Sequence, residues 1–246
     1  MQIIDFWNKL SLQRSKIVCI VVLALLASLS ASGQSKRWVR KNNPNYDERK
    51  FSYGFMIGLH SSALQLEYDD KFVTPDFDTL YAVQPEWSAG FSLGFIVNYR
   101  AADFLDLRVT PKVSFYEHKL KYVFTNEAPL DHLIETTMVE VPLLAKYKSV
   151  RRGNVRMYMI GGITPGIEAS GKKDLQSVSG ALELERFNLS LEAGFGFDLY
   201  YPLFKFSPEI RYSRGMLDML GTKDNPFGEP LRRITMNTVT VYLLFQ

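Results

Sequence analysis

From about Phe51 to the last residue, apolar side chains recur at every second position, in segments separated by polar stretches. A period of two marks an extended strand whose two faces meet different surroundings. Eight segments carry it. In the first, about Phe51 to Leu66, Tyr53, Phe55, Ile57 and Leu59 share one face while Ser52, Gly54, Met56, Gly58 and His60 share the other. The second sets Trp87, Ala89, Phe91, Leu93, Phe95, Val97 and Tyr99 against Ser88, Gly90, Ser92, Gly94, Ile96 and Asn98. The third opposes Leu105, Leu107, Val109, Val113 and Phe115 to Asp106, Arg108, Thr110, Lys112 and Ser114. The fourth opposes Val139, Val141, Leu143, Ala145 and Tyr147 to Glu140, Lys146 and Lys148. The fifth, about Val155 to Ile167, offers Met157, Met159 and Ile163, with Gly161 and Gly162 read as a bend or bulge. The sixth alternates Phe187, Leu189, Leu191, Ala193, Phe195, Phe197 and Leu199 with Asn188, Ser190, Glu192, Gly194, Gly196 and Asp198. In the seventh, Phe204, Phe206, Ile210 and Tyr212 face away from Lys205, Ser207, Glu209 and Arg211. The eighth places Val239, Val241, Leu243 and Phe245 opposite Thr238, Thr240 and Tyr242.

The connections alternate in length. Long polar segments, Asp69 to Gln84, Thr125 to Leu133, Ala169 to Arg186 and Gly215 to Leu231, follow the odd strands. Short turns, Arg100 to Asp103, Arg151 to Asn154 and Tyr201 to Leu203, follow strands two, four and six. This is the plan of an all-β, transmembrane up-and-down antiparallel β-barrel of about eight strands. Such a barrel, of OmpX or OmpA size, has long extracellular loops, short periplasmic turns and both chain ends in the periplasm. A soluble barrel or sandwich with its greasy face inward is the rival. Against it stand the glycines, serines and charges that fill the opposite face, as a narrow lumen requires. Aromatic residues at strand ends (Tyr53, Trp87, Tyr99, Tyr147, Tyr200, Tyr201) also fit an interfacial girdle. Tyr242 and Phe245 in the last strand suit the signal read by barrel-insertion machinery, although Gln246 follows.

Composition fits this reading once the two faces are separated. The chain is 46% hydrophobic and 22% charged with a mean hydropathy of -0.08, values that look soluble because the faces cancel. Residues 1–33 read as a secretory signal peptide: Lys9, Arg14 and Lys16 precede an apolar core from Ile17 to Ala27 and small residues from Ser28 to Gly33. Cleavage is expected before Gln34. A retained helix is the weaker reading, since the core is shorter than the roughly 20 residues that span a bilayer. Residues 34–50 form a polar, basic, aperiodic lead-in on the periplasmic side, ahead of a barrel over 51–246. The only cysteine, Cys19, leaves with the signal peptide, so no disulfide or thiol site is expected. Removing Lys9, Arg14, Lys16 and Asp5 leaves 26 basic against 25 acidic residues, a charge of +1 that gives no sign of nucleic-acid binding.

Candidate chemistry is sparse. His60 is expected on the inward face, His118 near the end of the third strand and His132 in a loop; of the neighbouring Ser61 and Ser62, only Ser62 shares the side of His60. No GxSxG motif accompanies them, and no catalytic residue is assigned. The acids of Tyr68 to Asp70, with Asp76 and Asp78, lack ligand spacing, so neither metal nor cofactor is expected. The strongest polar set is inward: Arg108, Lys112, Glu140, Lys146, Glu192, Glu209 and Arg211 should pair as a salt-bridged plug rather than line a pore. A basic run, Lys148, Arg151, Arg152 and Arg156, with Lys146 beside it, surrounds the second short turn on the side of the lead-in. It could dock a periplasmic partner, or simply be solvated or meet lipid phosphates.

Two stretches carry a resemblance. NNPNYDERKFSYGFMIGL at Asn42 to Leu59, and more specifically ETTMVEVPLLAKYKSVRRGNVRMYMIGG at Glu135 to Gly162, resemble the PorT/SprT family of Bacteroidetes outer-membrane proteins. The resemblance implies a component of the type IX secretion system, which exports proteins bearing a C-terminal sorting domain, and in some members supports gliding motility. It implies other type IX components, the barrel-insertion machinery and outer-membrane lipid as partners, and it transfers no catalytic residue. The long loops depart from it. A lipid-modifying outer-membrane enzyme and an OmpX-like structural or adhesion barrel are the alternatives.

Overall fold

The computed structural model describes residues 41–69, 80–124, 130–169, 185–221 and 231–246. The expected signal peptide, Cys19, Asp70, Asp76 and Asp78 lie outside these residues. Eleven strands follow in chain order: β1 (Phe51–Tyr68), β2 (Leu80–Glu86), β3 (Ser88–Arg100), β4 (Leu105–Val109), β5 (Lys112–Phe124), β6 (Leu130–Glu140), β7 (Leu143–Lys148), β8 (Val155–Glu168), β9 (Phe187–Tyr200), β10 (Lys205–Gly215) and β11 (Leu231–Phe245). They make eight crossings, because three pairs are single paths with a local break: at Trp87 between β2 and β3, at Thr110 and Pro111 between β4 and β5, and at Val141 and Pro142 between β6 and β7.

Proline explains two of the breaks, since it has no N–H to give a ladder. Its carbonyl still works. Pro111 accepts from the Phe95 N–H at 2.9 Å and Pro142 from the Thr110 N–H at 3.1 Å, so neighbouring crossings stay stitched. All pairings are antiparallel, and β1 pairs with β3 on one side and β11 on the other, from Phe55 opposite Phe245 to Tyr68 opposite Leu231. The remaining pairings run β3 to β4 and β5, then β7 and β6, β8, β9, β10 and back to β11. The sheet is a closed eight-crossing up-and-down barrel. The start of β1, the end of β11 and the short turns share one end, here the terminal end, and the long connections join strands at the other, the loop end.

Several strands outrun the sequence reading at the loop end. β2 begins at Leu80 inside the expected first loop, β6 at Leu130 inside the second, and β5 continues to Phe124. The reason is an inversion of the two faces partway along β1, β5 and β11. On β1 the outward residues are apolar up to Leu59 and then become Ser61, Gln65 and Glu67, while the inward ones change from Gly58 and His60 to Leu64 and Leu66. On β5 the outward Val113 and Phe115 give way to Glu117, Lys119 and Lys121, and the inward Lys112 and Ser114 to Leu120 and Tyr122. On β11 the same change separates outward Val239 and Val241 from Asn237 and Arg233, and inward Thr240 from Met236 and Ile234. The period of two continues through the reversal, and breaks only at the last pairs of β1 and β11, where Arg232 is skipped between Glu67 opposite Arg233 and Tyr68 opposite Leu231.

Phe51 to Leu59 therefore marks the height of an outer apolar belt. Eight residue steps span about 27 Å along the strand at about 3.4 Å each. With a tilt of ~40° this is about 21 Å along the axis, close to the roughly 25 Å band of a membrane barrel. Above the belt the barrel holds an ordinary core: Leu64, Val83, Tyr116, Leu120, Tyr122, Met138, Ile234 and Met236 pack together, and Met219 and Leu220 from the connection after β10 fold onto them. The Asp218 carboxylate fixes that connection by accepting from the Leu220 and Ile234 N–H groups at 3.0 and 2.9 Å. The edge of β2 facing β1 is occupied by the Tyr68 hydroxyl, which donates to the Val83 carbonyl at 2.8 Å and accepts from its N–H at 3.2 Å.

Two further expectations are corrected. No register shift marks Gly161 and Gly162, where β8 runs in unbroken register against both neighbours. Gly162 serves close approach instead: a Cβ there would collide with the Leu143 carbonyl oxygen. Tyr53, Trp87, Tyr99, Tyr147 and Tyr201 are exposed on the outside as a girdle requires, but Tyr200 points inward and is 3% exposed.

Candidate functional site

Inward positions of five strands place three cations and three carboxylates in one buried layer. The Arg108 Nη1 donates to Glu209 at 2.9 Å, and the Arg211 Nε also donates to Glu209. The Arg211 Nη1 reaches Glu192 at 3.2 Å, and the Lys112 ammonium lies 3.1 Å from Glu140 and 3.8 Å from Glu192. Hydroxyl groups add further bonds: Tyr158 donates to Glu209 at 2.6 Å, Ser114 to Glu140 at 2.6 Å, and Tyr242 accepts from Lys112 at 2.7 Å, while the Nη2 atoms of Arg108 and Arg211 have no hydrogen-bond partner. Small residues opposite make the room. A Cβ on Gly196 would strike the Tyr158 phenol. The layer is neutral, with each charge hydrogen-bonded, which is the condition under which buried charges are tolerated.

A second layer lies towards the terminal end. Lys146 donates to Asp198 at 2.7 and 2.8 Å, Lys148 to Asp106 at 2.5 Å, and Lys205 lies 3.9 Å from Asp198. Ser207 donates to Asp198 at 2.7 Å and Asn98 to Asp106 at 3.0 Å.

The third layer is the lead-in, which is not aperiodic throughout. Pro44–Glu48 forms a 3-10 helix started by Pro44 in its first turn and by Asn43 in the left-handed region at φ 44. The helix closes the terminal mouth. Asp47 accepts from Arg151 at 3.3 Å and from Tyr200 at 2.8 Å, and pairs with Arg156 at 3.1 Å. Arg151 also donates to the Asn42 and Asn43 carbonyls and lies 3.6 Å from the Tyr200 ring centroid. Asn42 returns a bond from its N–H to Asn154 at 2.9 Å, and Tyr46 packs edge-on against Tyr200 at 5.8 Å. Outside this clamp, a groove of about 310 Å³ is bordered by Lys41, Pro44, Asp103, Phe104, Ser149 and Val150.

All seven inward charges named from the sequence are buried, and six of them form the neutral layer; Lys146 sits below it on Asp198. Sequence reasoning missed Asp106, Asp198 and Lys205 as members, although each stands on the inward face of a regular alternation. It also missed Tyr158 and Tyr116, whose hydroxyls complete the carboxylate shells. The expected docking run is largely spent within the barrel. Lys148 is buried inside on Asp106, Arg151 and Arg156 hold the lead-in, and only Arg152 of the four is exposed. Tyr242 is likewise interior, whereas Phe245 lies on the outside among Phe55 and Phe206 at 5.0 and 5.1 Å.

The His60 ring faces Tyr116 at 4.4 Å, and Tyr116 separates it from His118, with centroids 5.8 Å apart. The Ser62 hydroxyl has no hydrogen-bond partner, so it is not coupled to His60, and the side chain of His132 is outside the described set. Among the described residues no group of three metal-ligating side chains occurs.

No curated protein is significantly similar to the chain. Among solved structures it is similar to Neisserial surface protein A, at 12% identity over 80% of this chain and 98% of that one, with a TM-score of 0.42. It is also similar to OprG from Pseudomonas aeruginosa, at 15% identity over 79% of this chain and 94% of that one, with a TM-score of 0.45. Ail, the attachment invasion locus protein of Yersinia pestis, solved with a heparin analogue, is 15% identical over 80% and 99%, with a TM-score of 0.34. Residues 32–221 match the family described as outer membrane protein beta-barrel domain, in keeping with a closed barrel that is apolar outside: the chain belongs to that family and is a protein of the outer membrane.

Proposed function

We propose that the protein is a non-enzymatic component of the type IX secretion machinery, with its termini and short turns in the periplasm, required for export of proteins with C-terminal sorting domains. The observation that carries this reading joins its two sources. The stretches resembling the PorT/SprT family, Asn42 to Leu59 and Glu135 to Gly162, are separated by 75 residues, yet they meet in the clamp where Arg151 and Arg156 hold Asn42 and Asp47. The likeness thus falls on one working surface at the terminal end. Three stacked layers occupy the lumen below the apolar core, so the reading is of an assembly or accessory subunit, not a conduit. Its partner surface is the set of exposed turn residues Phe104, Val150, Arg152 and Leu203 with the adjoining groove, in place of the spent basic run.

Deleting the gene is expected to leave sorting-domain cargo in the periplasm, and complementation with the wild type to restore export; unaltered export would rule the reading out. A structural or adhesive barrel is the second reading, favoured by β2, β5 and β6, which rise beyond the belt with polar outer faces. Normal export with altered surface attachment would select it.

A further inference from the structure

The groove outside the clamp is unevenly charged. Its walls carry Lys41, Arg100, Arg151 and Arg156 against Asp47 and Asp103, four cations to two carboxylates. Arg100 pairs with Asp103 at 2.6 Å, and Arg151 and Arg156 share Asp47 at 3.3 and 3.1 Å. Lys41 is exposed and forms no ion pair among the described residues. The surroundings lean the same way. The lead-in and the β7–β8 turn expose Arg49, Lys50 and Arg152 against Glu48. Residues 34–40, which run into Lys41, add Lys36, Arg37 and Arg40 and no acid.

The same groove has apolar walls. Pro44, Phe104 and Val150 border it, and Phe104 and Val150 are 49% and 66% exposed. Apolar side chains left in water gain from contact with an apolar group. Lipid is not what the groove faces. Asp47, Arg100 and Arg156 wall both the groove and a smaller cavity inside the terminal mouth, and Arg156 stands on the inward row of β8 with Tyr158 and Ile160. The floor is therefore the clamp over the lumen, and the groove opens along the barrel axis, whereas the belt faces sideways. At about 310 Å³ it takes a few side chains and not a folded domain.

We infer that the groove docks a short acidic segment of a partner protein, with one apolar side chain seated among Pro44, Phe104 and Val150 and the flanking carboxylates beside Lys41 and the arginines. The inference rests on the reading of the terminal end as a partner surface and gives that partner a chemistry: Asp and Glu around an apolar residue. Guanidinium groups take carboxylates in charge-assisted bonds. Complementary charge of this kind steers and orients a partner, and the apolar seat adds the hold.

Photocrosslinking of the full chain in the outer membrane of the cells that make it tests this, with p-benzoylphenylalanine in place of Phe104 or of Val150 and the joined peptide sequenced. The expected result is one protein segment captured from both positions, richer in Asp and Glu than in Lys and Arg. Capture of lipid alone, of a second copy of this chain, of a segment without net negative charge, or of nothing overturns the proposal. Lys41→Glu, which removes no contact of the clamp, should cut the yield several-fold, and changing the acids of the captured segment to Lys should restore it with that variant. Yields indifferent to both changes would also overturn it. Export of sorting-domain cargo is scored separately, in the deletion strain. An acidic segment captured where deletion leaves export normal keeps the inference and rejects the secretion reading; impaired export on deletion with no acidic segment captured does the reverse.

Discussion

Glu209 shows what a buried charge does in a barrel too narrow for bulk water. It accepts from two guanidinium groups and a phenol, so removing its charge leaves Arg108 without an ion-pair partner and Arg211 with Glu192 alone. Glu209→Gln is expected to destabilise the barrel by about 3–5 kcal/mol, read from urea unfolding in lipid vesicles. The Lys148–Asp106 pair gives the complementary case, since neither side chain has a second ion-pair partner among the described residues. Each single change, Lys148→Met or Asp106→Leu, should cost on the order of 3 kcal/mol, and the double change much less than their sum. Additive costs in that cycle would show that the pair is not coupled. Inward positions were legible in the sequence because alternation fixes the face. Partners were not: Arg108 and Glu209 are 101 positions apart and meet only through the closure and stagger of the barrel.

Among the elements, the 3-10 helix is the one the sequence hid. NNPNYDERK has no period, and five residues of tight helix leave none to see. What holds it is Asp47, which three side chains of the barrel contact. Asp47→Asn should weaken this clamp while leaving the barrel ladder whole. Trypsin is then expected to cut at Arg49 or Lys50 several times faster than in the wild type, with the melting of the barrel itself nearly unchanged. Equal cutting rates would mean the other contacts suffice. Strand ends at the loop end were misjudged for a different reason. Leu120 and Tyr122 turn inward and Lys119 and Lys121 outward, a sound strand pattern for a water-soluble wall that reads as loop to anyone following grease on the outside.

For the whole molecule, the reversal of the two faces sets its height in the bilayer. Leu93 lies outward on β3 within the belt and is 49% exposed, whereas Gln65 lies outward on β1 above it. Leu93→Arg should cost about 2–4 kcal/mol of folding free energy in vesicles and Gln65→Arg about 0–1. Similar costs at the two sites would move the membrane boundary. Eight crossings and their antiparallel order were readable from spacing, since hairpin connection permits little else. The clamp also decides how the molecule bears load. β1 is both the first strand and one side of the seam with β11. Tension on the chain ahead of an unclamped β1 would load that strand directly, against its ladders with β3 and β11. Because Arg151 and Asn154 grip the chain at Asn42, before β1 begins, a pull from the N-terminal side is delivered first to the hairpin of β7 and β8. That hairpin is held on both flanks, by β4 and β9, so the load reaches it before it reaches the seam of β1 and β11.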